Sequence, residues 1–264
     1  MKWIGVKIKK LSELIGNLNI VIFTPDDIQI FKNGPAERRK FLDMMIGQLK
    51  PNYVYTLNLY LKTLEQRNNY LRQIKEYNKQ ENMLEIWDEK LAEYAEILCR
   101  YRTEFIKKLS DKIKSIHPQT TENKEILEIK YITECNNKEE YINLLKQRRK
   151  VDIIKGYTTK GIHRDDFKTY INNKEIETYG SQGQHRTAIL SLKLAELYII
   201  YDEIGEYPIL LLDDFMSELD EKRRKSFLNY IKDTQVIITC TDKMNLDNID
   251  FFKLFKVNNG NIMY

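Results

Sequence analysis

The stretch that most constrains this chain is Ile209-Leu210-Leu211-Leu212-Asp213-Asp214. Four consecutive apolar residues suit a strand covered on both faces, as in a parallel sheet. Two carboxylates stand where it ends, and ligands of open α/β sheets lie at the carboxyl ends of strands. That is the form of a Walker B element, which holds the magnesium of a bound nucleotide. Upstream, Tyr179-Gly180-Ser181-Gln182-Gly183-Gln184-His185-Arg186 leads into a long apolar helix predicted over about 182–204. A helix start offers unpaired N–H groups and a positive dipole end, which suits a phosphate. Taken alone, Ser-x-Gly reads as an ordinary helix start with Ser181 as its cap. Its place just ahead of a hydrophobic strand ending in two aspartates makes the pair specific.

Those residues resemble the RecF family of bacterial DNA replication and repair proteins. The resemblance extends through Arg186-Thr187-Ala188, Leu190 to Glu196 and Ser217-Glu218-Leu219-Asp220. Upstream it includes Phe23-Thr-Pro-Asp-Asp27, Gly34 to Arg39, Phe41-Leu-Asp43, Lys62 to Asn68 and His163-Arg164-Asp165-Asp166. Where the family usually has proline, this chain has Ile162. The resemblance implies an α/β fold, the C-terminal part of a P-loop (ABC/SMC-type) ATPase head with an inserted α-helical hairpin lobe. It further implies that the N-terminal part of the head is missing. The family's Gly-rich phosphate loop should precede Leu11, and no Gly-x-x-x-x-Gly-Lys-Ser/Thr occurs anywhere. The expected organisation is a residual head segment over 1–26, the helical lobe over 27–120, and a head segment with signature, Walker B and D-loop over 121–264.

Site roles follow from the same resemblance. Ser181, Gln182, Gly183 and Gln184 would face the γ-phosphate of ATP held by a partner subunit. Asp213 would hold Mg²⁺ through water. Asp214 stands where most ABC proteins carry a glutamate general base; an aspartate is one methylene shorter, which implies slow hydrolysis. Asp220 belongs to the D-loop that crosses the dimer interface, although Ser-x-x-Asp also suits a capping box. Thr241 occupies the position of a switch histidine whose role it cannot take. The implied function is an ATP-dependent DNA-binding clamp that helps load recombinase at single-strand gaps, in recombinational repair and the SOS response. Its implied partners are single-stranded, gapped and duplex DNA without sequence preference, a second copy in an ATP-dependent homodimer, and RecR/RecO-type mediators. The 264 residues alone are expected not to hydrolyse ATP. The alternatives are a non-catalytic DNA- or partner-binding module, or another SMC-type repair head, whose coiled coil would be far longer.

Composition agrees with a soluble, cytoplasmic protein. Charged residues make up 31% and hydrophobic ones 42%, no apolar run approaches a membrane span, and the N-terminus lacks a signal peptide's apolar core. The net charge of +4 is weak support for a nucleic-acid partner. Cys99, Cys135 and Cys240 lack metal-ligand spacing and read as reduced thiols.

In chain order, Ile20-Val-Ile-Phe23 reads as a buried strand, and Pro35 opens a helix with Arg38, Arg39 and Lys40 near its start. That cluster reads as a solvated basic turn or, alternatively, a phosphate contact. Pro51 opens a second helix with Val54, Leu57, Leu61, Leu64, Asn68 and Leu71 as a heptad seam. A third runs from Leu84 to Ile116 and is ended by His117-Pro118. The two long helices predict an antiparallel hairpin. Leu127 to Ile132 alternates like a strand, and Lys138 to Lys150 reads as a short helix. Phe167–Ile171 and Glu175–Tyr179 predict a β-hairpin around Asn172-Asn173. His163 with its two acids suggests metal or acid–base chemistry, but with no second ligand at helical spacing a structural loop is the better reading.

Overall fold

Two prolines set the entry to the helical region. Pro35 and Pro51 each occupy the first turn of a helix, where a missing N–H costs nothing. The computed structural model describes residues 2–3, 6–7, 16, 18–241, 252–258 and 260–263. Of the expected 1–26 head segment, most of residues 1–17 lies outside these residues, as do the side chains of Ser217, Glu218, Lys222 and Lys225.

The elements run β1 (Lys2–Trp3), β2 (Val6–Lys7), β3 (Ile20–Phe23), α1 (Gln29–Lys32), α2 (Pro35–Leu49), α3 (Pro51–Tyr77) and α4 (Leu84–Thr121). They continue through β4 (Leu127–Ile132), α5 (Lys138–Lys155), β5 (Asp166–Ile171), β6 (Lys174–Glu175), α6 (Ile176–Tyr179) and α7 (Gln182–Ile204). Last come β7 (Ile209–Asp213), α8 (Glu221–Tyr230), β8 (Val236–Thr239), β9 (Lys256–Asn258) and β10 (Asn261–Met263). A three-stranded parallel sheet has the order β3-β7-β8, and an antiparallel one the order β4-β5-β6.

The parallel sheet is covered on one face. Val21, Phe23, Leu210 and Leu212 are buried there, and Phe227 packs edge-on against Phe23 and Phe215, which are tilted against each other, with centroids 5.0 to 6.1 Å apart. Along the other face Ile22 and Ile237 are exposed and Leu211 is half-buried, so the strand expected to be covered on both faces is covered on one among the described residues. Fourteen of the 23 residues of α7 are buried, which is why its apolar positions spread all round rather than along one stripe.

The hairpin of α3 and α4 forms as expected, but its seam differs. Tyr53, Tyr60, Arg67, Leu71 and Ile74 face inward, while Leu61 is exposed. The aliphatic heptad misled because Arg67 is fully buried, its guanidinium held by Asp88 (2.7 Å), Asp152 (2.8 Å) and Thr158 (2.8 Å). Helix α4 runs past Pro118 to Thr121 and ends on left-handed Glu122, since proline lacks only its own N–H and the preceding turns supply the rest. Helix α5 extends to Lys155, where Gly156 at φ 73° stops it. The second strand of the predicted hairpin is only two residues long, and Ile176–Tyr179 turns helical instead.

Candidate functional site

The C-terminal end of β7 carries the paired carboxylates. Register places Asp213 beside Thr239 of β8, and the Thr239 hydroxyl donates to Asp213 Oδ1 at 2.6 Å. Asp213 is exposed at the C-terminal end of the central strand. Asp214 takes a left-handed conformation (φ 48°, ψ 13°), uncommon for a residue with a side chain, though Asp tolerates it. Its N–H donates to both the carbonyl and the hydroxyl of Thr239, each at 3.2 Å. Thr239 thus fixes both acids, and sequence reasoning missed it. The position singled out there, Thr241, lies beyond the strand. Thr239 is legible only once β7 and β8 are known to be neighbours in register.

The turn before α7 is built by a reciprocal capping box. Ser181 Oγ accepts from the Gln184 N–H (3.2 Å), and the Ser181 N–H donates to Gln184 Oε1 (2.9 Å). Gln184 Nε2 continues outward to Glu125 Oε1 at 2.9 Å, tying the turn to the segment after α4. The capping role of Ser181 is therefore real. Gly183 behaves differently from a glycine required by its own chain. Apart from its chain neighbours and its own helix backbone, a Cβ there would come no nearer than 3.9 Å to any atom, and its φ lies outside the left-handed region. Nothing within the molecule demands a glycine at 183.

Asp220 caps α8, accepting from the Arg223 N–H at 2.8 Å and from its guanidinium at 2.8 Å. The expected capping box for α8 thus resolves to Asp220 as the cap. The guanidinium of Arg223 is also one of the two nearest groups to the open side of Gly183, so the turn before α7 and the start of α8 come together. A cleft of about 230 Å³ joins the same region to the end of β3, lined by Thr24, Pro25, Lys32, Gln182, Arg186 and Phe215. No hydrogen bond joins Ser181 to Asp213: Ser181 bonds to Gln184, and Asp213 to Thr239. Beneath the cleft, buried Lys193 of α7 lies 3.7 Å from Asp27 and 3.3 Å from Glu196, and burial raises the pKa of both acids. Among the described residues no three His, Cys, Asp or Glu side chains converge as a metal cage. Cys99 and Cys135 are buried, Cys240 is exposed, and all three are free thiols.

The remaining motif, His163-Arg164-Asp165-Asp166, is a junction between the helical region and the antiparallel sheet. Gly161, at φ 135°, enters it where a Cβ would lie 1.9 Å from Tyr141 Oη. A carbonyl can only accept, so His163 Nε2 donates to Thr158 O (3.1 Å) and Nδ1 accepts from Tyr60 Oη (2.8 Å). Burial, reinforced by nearby arginines, holds this imidazole down to about 4. Buried Arg102 donates to Asp43 (2.8 Å) and to Ile162 O (2.8 Å) and lies 3.5 Å from Asp165. Burial pushes Asp165 up to about 6. Arg38 is neither solvated nor free for phosphate, because both its Nε (2.6 Å) and Nη2 (2.8 Å) are committed to Asp166. Arg39 donates to Asp165 O at 2.8 Å. No described helix is long and apolar enough to cross a membrane.

Similarity to known proteins bears on this geometry. No protein-family model matches the chain. The DNA replication and repair protein RecF of Clostridium novyi is 44% identical over 264 residues, spanning 98% of this chain and 72% of that protein. RecF of Acetivibrio thermocellus is 45% identical over 255 residues, 93% of this chain and 69% of its own. The solved structure of the recombination mediator protein RecF with ATP, in the RecFOR pathway, superposes with a TM-score of 0.89 at 40% identity, covering 98% of this chain and 71% of that one.

Proposed function

The chain belongs to the RecF family of DNA replication and repair proteins, and from that premise we propose that it provides the signature and Walker B part of an ATP-dependent DNA clamp. The observation that carries this reading is the open side of Gly183. A helix start with its serine exposed, and a glycine that no intramolecular contact requires, is suited to a close approach from outside the molecule. In this reading Ser181 and Asp213 serve two different nucleotides across a dimer. Each copy's Asp213 side holds its own, and the Ser181-Gln182-Gly183-Gln184 turn closes on the partner's.

Within this scheme Asp213, fixed by Thr239, would hold Mg²⁺, an ion that keeps most of its hydration and takes few carboxylates. The ion, when bound, neutralises charge on the β- and γ-phosphates. In a complete ATPase head Asp214 would accept the proton of the attacking water, and its short side chain would make hydrolysis slow. Asp220 holds Arg223 beside the signature turn at the interface. DNA is bound through its backbone without sequence preference, and RecO/RecR-type mediators act with the clamp in the cytoplasm as recombinase is loaded at gaps.

Sedimentation of the chain mixed with C. novyi RecF tests the scheme. A mixed complex should form with ATP and Mg²⁺ and disperse without nucleotide. Association indifferent to ATP, or none at all, contradicts it.

A further inference from the structure

A second concave site lies away from the nucleotide residues, between the end of β4, the C-terminal end of α5 and the loop that leads into His163. It is a cleft of about 390 Å³, and Lys155, Lys160 and Arg164 stand on its walls. Tyr157 sits at its rim, 39% exposed, with Lys155 Nζ 6.0 Å and Arg164 Cζ 5.7 Å from its ring centroid. An aromatic ring holds cations in place through its quadrupole, so the two charges are positioned rather than loosely solvated.

The charge around this cleft is unbalanced for a structural reason. The second half of α5, Lys146 to Lys155, carries five cations and one acid. That acid, Asp152, is fully buried and committed to Arg67, and Arg149 is taken by buried Asp88. Among the described residues no carboxylate lies within 4.0 Å of Lys146, Arg148, Lys150, Lys155 or Arg164. Lys160 pairs with exposed Glu134 at 2.5 Å. Asp165, at the floor, is turned to Tyr131 and Arg102 and is only 4% exposed. Exposed Lys146 and Lys150 lie one turn apart on α5 and extend the positive strip from the cleft along the helix.

We propose that this cleft and the adjoining face of α5 bind the phosphodiester backbone of a nucleic-acid strand, with Lys155 and Arg164 as the phosphate contacts and Tyr157 as the ring that aligns them. Cations converging on a recess beside an exposed aromatic are the equipment of strand binding without base readout. The inference rests on the DNA-binding reading above and assigns it a location.

The test is fluorescence anisotropy of chain 1–264 with a labelled single-stranded oligonucleotide of about 20 nucleotides, titrated with salt. The variant Lys155→Gln/Arg164→Gln should weaken binding roughly tenfold and flatten the log-affinity against log-salt slope by about 1.4, two phosphates at about 0.7 each. Tyr157→Leu should weaken it less. The control Lys114→Gln/Lys124→Gln, which removes the same charge at the other end of α4, should stay within about twofold. Urea unfolding midpoints of all variants should match the parent, since every residue changed is on the surface. An unchanged affinity and slope in the first variant would overturn the site and leave DNA binding itself standing. A parent chain that binds no oligonucleotide would overturn both. Displacement of the strand by equimolar inorganic pyrophosphate would assign the cleft to a small phosphate ligand instead, which also overturns the proposal.

Discussion

His163 is the residue whose chemistry most invites misreading, and its titration separates a structural role from a metal or acid–base one. Its imidazole is held neutral, with Nε2–H spent on Thr158 O and Nδ1 on Tyr60, and burial lowers it from 6.5 to about 4. The folded protein resists a proton that the unfolded chain accepts. No cost therefore exists above pH 6.5, and stability falls as pH drops from 6.5 to 4. The full gap corresponds to about 3 kcal/mol, and at pH 5 the loss is about 2 kcal/mol. His163→Gln removes the titration and weakens two buried hydrogen bonds, costing about 1–2 kcal/mol at pH 7.5. Urea unfolding should show the variant less stable than the parent at pH 7.5 and equal to it near pH 5. Asp165 and His117 titrate in the same window, but both are retained, so the difference between the two proteins isolates His163. Excess Zn²⁺ should shift neither midpoint. A gap that stays constant with pH, or stabilisation by Zn²⁺ in the parent alone, would refute the reasoning.

Two further outcomes follow from the packing. Arg67→Met removes the cation that buried Asp88 and Asp152 share, leaving Asp88 only Arg149 and Asp152 only Thr159, and should cost about 3–5 kcal/mol in urea unfolding, with part of it recovered when Asp152 is also changed to Asn; a cost under about 1 kcal/mol contradicts the burial. Gly183→Ala meets nothing within 3.9 Å inside the chain, so its melting temperature should hold or rise, by up to about 1 kcal/mol of stability, while ATP-dependent association with a RecF partner is lost; a variant that associates normally removes the reason for glycine there.

What the sequence made legible was whatever local pattern decides. The start and end of α7, the strand ending at Asp213, and both proline-led helices followed from periodicity and capping chemistry, which act over a few residues. What it hid depended on pairing across the fold. The inward face of α3 turned on Arg67 finding Asp88 and Asp152 from two other helices, a partnership without a sequence signature. Arg38 to Asp166 joins residues 128 apart, so a buried clamp looked like a solvated basic turn. Thr239 could be tied to Asp213 only through the β7–β8 register. The motif around His163 reads as a structural loop, and its partners Tyr60, Arg102 and Tyr141, which no local pattern reveals, lie on three different helices.

Ser181→Arg tests the central claim most directly. The capping box predicts a loss of only about 1 kcal/mol of stability from replacing this serine. If the turn also closes on a partner's nucleotide, an arginine at the exposed helix start crowds the surface that Gly183 leaves open. The measurement is sedimentation velocity of the chain with C. novyi RecF, with and without ATP and Mg²⁺, alongside a thermal melt. The expected result is a nearly unchanged melt and no ATP-dependent complex. A variant that still forms the complex as the parent does would reduce Ser181 to a helix cap and contradict the proposed role of this turn.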